Sequence, residues 1–317
     1  MKLGKMKMQK NSKAIEFSFT WLFAVIIGAF ILFLAIYAVS KMMSSGGTEV
    51  GTIASKEIGI LLNPLEINFE SGKTTSMGVA TETRIYNKCD NTGGFGNQII
   101  QTSQKTFGKF SEPSFEVKFQ NKYIFSGNYE EGKKFNIFSK PFDFPFKVAD
   151  LVYLTSADKK YCFVDAPENI KSELNNLKQN NLLIENCPTA ETGIIKVCFE
   201  GGSGCNITVQ YGQGYVEKNH SKLYFETDAL MYGAIFSEKG VYECQVKRLM
   251  SRTKELASIY NKKASLLEQK DCNSNLDLST FEVLLGNYKN SGDLPLLLEK
   301  SKEIENANEA NAICKLW

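Results

Sequence analysis

Residues 10–41, KNSKAIEFSFTWLFAVIIGAFILFLAIYAVSK, contain an uncharged apolar run from Phe17 to Val39. A helix of these 23 residues is about 35 Å long at about 1.5 Å per residue, enough to cross a hydrocarbon core of about 30 Å. The apolar core of a signal peptide has only about 7–15 residues. The run therefore predicts a transmembrane helix that is retained as an anchor. A cleaved signal peptide is the alternative, because Ala38-Val39-Ser40 resembles a small-x-small cleavage site.

Basic residues are concentrated before this run. Residues 1–16 carry five lysines and one glutamate, whereas only Lys41 follows the run before Lys56. Because positively charged flanks stay on the cytoplasmic side, the predicted localisation is the cell membrane, single-pass, with a cytoplasmic N-terminus and an extracellular main body. The rest of the chain has 32 basic and 34 acidic residues, and this near-neutral balance gives no electrostatic reason to expect a nucleic-acid partner.

All eight cysteines lie after the apolar run. An even number of cysteines outside the membrane is typical of disulfides in an oxidising compartment. A zinc site is the competing interpretation, but the chain has no Cys-x-x-Cys pair and only one histidine. We therefore predict disulfides, no metal site and no cofactor.

The spacing of the cysteines indicates one disulfide directly. Cys198 and Cys205 flank the glycine-rich segment 199–204, which can turn tightly enough to bring two strand ends together. The other pairings stay open, since eight cysteines allow 105 connectivities. Cys272 with Cys314 would hold the last two helices together, and Cys162 with Cys187 would link two strands. Cys89 and Cys244 would then be left to pair with each other.

The chain divides into five parts by composition and pattern. They are a basic cytoplasmic leader (1–16), the transmembrane helix (17–39), a juxtamembrane linker or helix (40–64), a β-rich ectodomain with one inserted helix (65–245) and a C-terminal helical subdomain (246–317). The predicted fold class is α+β, with a single transmembrane helix followed by a disulfide-linked, strand-rich ectodomain and a C-terminal helical cluster. Whether the last two parts share one core is left open.

Short alternating runs of Val, Ile, Phe and Tyr between turn residues predict the strands, and the segment 223–238, LYFETDALMYGAIFSE, is among them. The inserted helix is predicted at 167–179, between strands at 161–164 and 181–186, which together predict a small βαβ unit. The helix is indicated by Pro167 in its first turn and by Ile170, Leu174 and Leu177 on one face.

Helical periodicity replaces alternation in the C-terminal part. An apolar stripe predicts one helix from about residue 245 to about 270. Ser279-Thr-Phe-Glu282 predicts a capping box that opens a second helix. Asp293-Leu-Pro295 predicts the start of a third, which ends near Ile313.

No catalytic residue is predicted. His220 lies in the polar segment EKNHSK and is interpreted as a solvated loop residue, and the glycine clusters are interpreted as turns because none matches a phosphate-binding loop. A carboxylate-dependent hydrolase is an alternative. It requires two acidic side chains facing each other across a cleft, about 5–9.5 Å apart for glycoside hydrolysis.

Two further sets of residues are candidates for contact or modification. Phe138, Phe142 and Phe144 lie around Pro141 and Pro145, and proline does not suit a central strand. The favoured interpretation is a packed edge of the core, and the alternative is an exposed aromatic partner contact. The other set comprises the sequons at Asn206 and Asn219, which are compatible with surface glycosylation.

The string Ala14-Ile15-Glu16-Phe17, followed by an uninterrupted apolar helix, resembles the N-terminus of type IV pilin-like proteins. In that family a basic leader is removed just before the helix, and a glutamate near the start of the mature chain aids filament packing. The resemblance implies that Glu16 is a contact between subunits. The alternative is that Glu16 lies among headgroups beside Lys13 and marks the start of the span.

Together these features predict a single-pass, membrane-anchored extracellular protein with a non-enzymatic role as a surface, envelope or partner-binding component. A type IV pilin-like filament subunit and a membrane-tethered extracellular hydrolase are the alternatives. The expected partners are the membrane and either another protein or further copies of this chain.

Overall fold

The computed structural model of the protein describes residues 21–39, 56, 58, 74–188, 193–311 and 313–317. Two compact units divide the chain, Met1–Gly46 and Gly47–Trp317. The first contains helix α1, Trp21–Val39, in which every side chain is exposed. By length and composition α1 can cross a membrane, with a mean hydropathy of 2.9 over its most apolar window.

The second unit, called the body below, contains thirteen strands and five α-helices among its described residues. The strands are β1 Thr74–Asp90, β2 Asn97–Thr106, β3 Lys109–Phe110, β4 Val117–Phe119, β5 Tyr123–Phe125, β6 Tyr129–Asp143, β7 Lys147–Ser156, β8 Tyr161–Val164, β9 Leu182–Ile184, β10 Ile195–Phe199, β11 Ile207–Gln210, β12 Tyr215–Lys218 and β13 Ser221–Tyr224. The helices are α2 Glu168–Leu177, α3 Asp228–Phe236, α4 Lys239–Glu268, α5 Ser279–Gly286 and α6 Leu294–Ala310. The body is therefore α+β, as predicted.

The first sheet has the strand order β3-β2-β1-β6-β7-β5, with β4 also paired to β2. All pairs are antiparallel except β5 with β7. The central strand β6 contains Pro141, which pairs with Asp150 of β7, and the described pairing of β6 with β1 extends from Tyr129 to Phe138. Lys56 and Ile58 are helical, and Ile58 is buried in a small apolar cluster with residues of this sheet.

The second sheet has the order β13-β12-β11-β10-β8-β9. Strands β9, β8, β10 and β11 are parallel, and β12 and β13 are antiparallel. Strand β8, helix α2 and strand β9 form the predicted βαβ unit, which is confirmed. Helix α2 buries Ile170, Leu174 and Leu177, the three residues that predicted it.

The segment 223–238 was predicted as a strand, and only its first two residues are in one, because β13 ends at Tyr224. Residues 228–236 form α3 instead, which begins where the Thr227 hydroxyl accepts a hydrogen bond from the Leu230 N–H. Helix α3 contacts strands of both sheets and buries eight consecutive residues. Because α3 has apolar residues on every side, its sequence shows no helical period. The prediction of a strand over 228–236 is wrong for this reason.

The C-terminal helices lie close to their predicted places. Helix α4 begins at Lys239, six residues before the predicted start, and α6 ends at Ala310. Helix α5 begins at Ser279 as predicted, but the capping box is wrong. The Ser279 N–H donates to the Asp277 carboxylate at 2.8 Å, and Glu282 accepts from Asn261 instead of from the helix start.

One continuous cluster of buried apolar side chains extends from Tyr123 to Leu316 and includes residues of both sheets and of α2 to α6. Across the predicted boundary at 245, the Phe146 ring lies 4.6 Å from the Tyr260 ring and 5.3 Å from the Trp317 ring. The β-rich part and the helical part therefore share one core.

Helix α3 passes very close to the first sheet at Gly233. A Cβ built on Gly233 would lie 2.7 Å from Cδ1 and 2.9 Å from Cε1 of Phe125, a fully buried ring. The absence of a side chain at this position is thus what allows α3 to pack on β5.

We expect Gly233→Ala to lower the free energy of unfolding by about 1–3 kcal/mol, because the added methyl overpacks the core. Glycine to alanine in an unobstructed helix has the opposite effect, a stabilisation of up to about 1 kcal/mol. Gly240→Ala in the first turn of α4 is the matched control, since a Cβ there meets no atom within 4 Å. Urea unfolding of the full chain in detergent measures both, and a stabilised Gly233→Ala variant would contradict the prediction.

Candidate functional site

The eight cysteines form four disulfides, and none of them is free. The pair Cys198–Cys205 is confirmed as the spacing predicts, and the other three are pairs that the spacing leaves open. Cys89–Cys244 joins β1 to α4, and Cys162–Cys187 joins β8 to the segment after β9. Cys272–Cys314 joins the segment after α4 to the C-terminal residues. The cysteines are therefore structural cross-links, and none is available as a thiol nucleophile.

The aromatic segment around Pro141 and Pro145 is part of the core. Phe138, Phe142 and Phe144 are each at most 2% exposed. The Phe138 ring stacks on Tyr153 at 4.4 Å, and the Phe144 ring lies 6.0 Å from Phe281 of α5. Because the C-terminal helices cover this segment, the alternative of an exposed partner contact is wrong, and the packed edge is confirmed.

The two sequons lie at the surface. Asn219 and His220 form the two-residue turn between β12 and β13, and both are exposed. Asn206 is also exposed, but its side-chain oxygen accepts a hydrogen bond from the Lys196 N–H at 2.8 Å, just before β11. Glycosylation of either asparagine stays a prediction. Glu16 lies outside the described residues.

A cleft of about 520 Å³ opens where the first sheet meets the second. It is lined by the segment 127–131 before and within β6, the connection 156–159 between β7 and β8, Gly193 and Glu238. A smaller pocket of about 160 Å³ shares Lys159 and Glu238 with it. The lining is rich in carboxylates, which makes the cleft the place to test the hydrolase alternative.

The most buried carboxylate of the cleft is Glu130, which is 2% exposed. It accepts hydrogen bonds from the Gly127 N–H at 3.3 Å and the Ser156 N–H at 3.0 Å, and it pairs with the Lys159 ammonium at 3.2 Å. Burial alone would lower the pKa of Lys159, but its interactions with Tyr161 and Glu130 outweigh burial and raise it. Both oxygens of Glu130 are thus engaged in holding β6, β7 and Lys159 together.

The adjacent Glu131 is also engaged. Its carboxylate accepts from Nη2 of Arg84 at 2.7 Å and from Nε at 3.1 Å, and the Arg84 guanidinium lies between the rings of Phe110 and Tyr129. Glu130 and Glu131 are therefore ion-pair partners that stabilise the fold, and they lend the hydrolase alternative no support. Within the described ranges, no group of three or more His, Cys, Asp or Glu residues is placed to hold a metal ion.

Lys218 lies in the smaller pocket and is 9% exposed. Its ammonium donates to the carbonyl oxygens of Ile235, at 3.0 Å, and Ser237, where α3 ends. Burial, opposed by Glu238 and assisted by Lys159, lowers the pKa of Lys218 to about 8. The side chain satisfies the last carbonyls of α3, which is a structural role.

The most exposed aromatic side chain among the described residues is Phe107, at 92%. Phe107 and Gly108 form the two-residue turn between β2 and β3, with φ of 49° and 78°. A turn with two positive φ angles favours Asn-Gly or Asp-Gly, and phenylalanine there is an outlier. Lys109, the next residue, is exposed.

The sequence contained a signal for one of these features and not for the others. Gly108 is a turn signal after an alternating run, and the phenylalanine before it could have been noticed there. Glu130 and Lys159 are 29 residues apart, and Lys218 and Ile235 are 17 apart, so only the tertiary fold brings them together.

Comparisons of this chain with protein-family models, with curated proteins and with solved structures find no match.

Proposed function

We propose that this protein is a single-pass membrane protein of the cell surface, whose disulfide-bonded body acts outside the membrane as a non-enzymatic, partner-binding or envelope component. The observation that carries the proposal is α1, a 19-residue apolar helix with no buried residue in its most apolar window. Exposed apolar surface of this size is unfavourable in water and favourable in a bilayer.

The cysteines and the lysines support the orientation. All eight cysteines lie in the body and all are paired, which suits an oxidising compartment outside the cytoplasm. The five lysines of residues 1–16 favour a cytoplasmic N-terminus. A non-enzymatic role is supported by the ion pairs that engage Glu130 and Glu131 in the carboxylate-lined cleft of about 520 Å³.

We expect the full chain to stay in the membrane pellet after extraction with alkaline carbonate and to dissolve only in detergent. Replacing Ile27, Phe30 and Ile31 together by lysine should release the chain or block its export, because each charge near a helix centre costs about 2.5–3.5 kcal/mol on insertion. The same three positions replaced by leucine are the matched control. Release of the unmodified chain by carbonate would contradict the anchor.

Two measurements on the same membranes separate the alternatives. Intact mass should equal the full-length chain, whereas loss of about 40 N-terminal residues would indicate a cleaved signal peptide and loss of only the basic leader would indicate pilin-like processing. A protease added to intact cells should digest the body. A protected body would contradict the proposed orientation.

A further inference from the structure

We propose that the hairpin tip Lys105–Lys109 touches the surface of the lipid bilayer, with the Phe107 ring at the boundary of headgroups and acyl chains and the Lys109 ammonium among the headgroup phosphates. This inference rests on the proposed membrane anchoring and adds a second contact between the body and the membrane.

The first observation is that both the side chain and the backbone of Phe107 are in unfavourable states in the body considered without a membrane. Its ring is 92% exposed to solvent, and its backbone has a φ of 49°. Among the described non-glycine residues with positive φ, Phe107 is the only apolar one. A backbone held in a sparsely populated conformation points to a functional role, and here that backbone presents an exposed apolar ring.

The second observation is the composition of the tip. Phe107 lies between Lys105, whose ammonium pairs with Glu82 at 2.9 Å, and Lys109, which is exposed. An apolar ring flanked by long basic side chains matches the boundary of a bilayer, where the ring leaves water and the ammonium remains in the polar layer. The tip is a β-hairpin, so its backbone hydrogen bonds are already made within the protein.

The size of the tip favours a lipid surface over a protein partner. A stable protein interface buries about 1,000 Å² or more, whereas one phenylalanine contributes about 150–250 Å². A bilayer needs no complementary pocket for a single ring. Because Ile58 is buried in the body, residues 40–57 join α1 to the body, and they reach about 65 Å at most. Because the proposed anchor already holds the body near the membrane, the tip meets the bilayer at a high effective concentration, and even a weak insertion can be populated.

Photo-crosslinking in the membranes of the expressing cell tests the inference on the full chain. The variant Phe107→p-benzoylphenylalanine places a photoreactive ring at the tip. His220→p-benzoylphenylalanine is the matched control, because His220 is exposed in the other two-residue turn with positive φ, between β12 and β13. We expect a phospholipase-sensitive lipid adduct at residue 107 with at least fivefold the yield at residue 220.

Equal lipid yields at the two positions, or a protein adduct as the main product at residue 107, would overturn the inference. Carbonate extraction of the same membranes distinguishes it from the proposed function. A chain that resists carbonate but gives no lipid adduct at residue 107 defeats the inference alone, whereas a chain that carbonate releases defeats both.

A second variant tests whether Phe107 serves the fold. Phe107→Asn should raise the Tm of the body by about 1–4 °C, because asparagine suits this turn position. The reciprocal change Asn219→Phe should lower the Tm by a similar amount. A Tm lowered by several degrees in Phe107→Asn would assign Phe107 a structural role and overturn the inference.

Discussion

Replacing Arg248 by methionine is expected to lower the free energy of unfolding by about 3–5 kcal/mol, one of the two largest effects in the molecule. Arg248 lies on α4 and is 1% exposed. Its guanidinium donates to the carbonyl oxygens of Phe95 at 3.0 Å, Gln120 at 2.8 Å and Lys122 at 2.8 Å. Methionine keeps much of the stem but removes all three bonds, and it leaves the buried Lys122 carbonyl without this donor, at about 1–3 kcal/mol when nothing replaces the bond.

Arg248 is also part of a longer polar connection, which explains why the loss should be large. Nη1 donates to the Gln245 side chain at 2.7 Å, and Gln245 in turn donates to Gln98 of β2, which donates to Asn87 of β1. All three amide residues are at most 2% exposed. Burial lowers the pKa of Arg248 to about 10. The connection ties α4 to the first sheet.

Two control variants make the Arg248 prediction specific. Arg248→Lys keeps the charge, but one ammonium cannot serve carbonyls on three separate residues, so a loss of about 2 kcal/mol or more is expected. Lys247→Met changes an exposed neighbour on the same helix and should stay within about 0.5 kcal/mol. Urea unfolding with Trp317 fluorescence, whose ring packs on Phe146 and Tyr260, gives the values. A loss below about 1 kcal/mol in Arg248→Met would contradict the prediction.

The fold could be predicted from sequence where the signal was local. The βαβ unit was found because Ile170, Leu174 and Leu177 repeat on one helix face between two short strands. The pair Cys198–Cys205 was found because glycines separate the cysteines. Helix α3 was missed because contact with both sheets buries nearly every residue, so no polar face marks its period.

The surroundings of the candidate site residues could not be predicted, because they depend on contacts between residues far apart in the sequence. Phe144 is buried because α5, more than 130 residues later, packs on it. The sequence does not mark Arg248, since most of its hydrogen-bond partners are backbone carbonyls near residues 95 and 120. Alternation and periodicity report which face of an element is apolar, but not which other element covers that face.

Removing the disulfide Cys89–Cys244 by replacing both cysteines with alanine is expected to lower the free energy of unfolding by about 4–5 kcal/mol. The bond joins β1 to α4 across a sequence separation of 155, and the loop-entropy model gives the larger effect to the longer loop. The matched control is the double replacement of Cys198 and Cys205, whose separation of 7 gives about 2 kcal/mol in the same model. Equal losses in the two variants would contradict the model for this protein.

Cys244 and Arg248 lie one turn apart on α4, and both fasten the same part of this helix to the first sheet. Their contributions should therefore be coupled. Once Cys89 and Cys244 are alanine, the helix has more freedom to move away from the sheet, and Arg248→Met then removes bonds that are already partly lost. The combined variant should lose less stability than the sum of the separate losses, by about 1 kcal/mol or more. Strict additivity would mean that the disulfide and the guanidinium hold α4 independently.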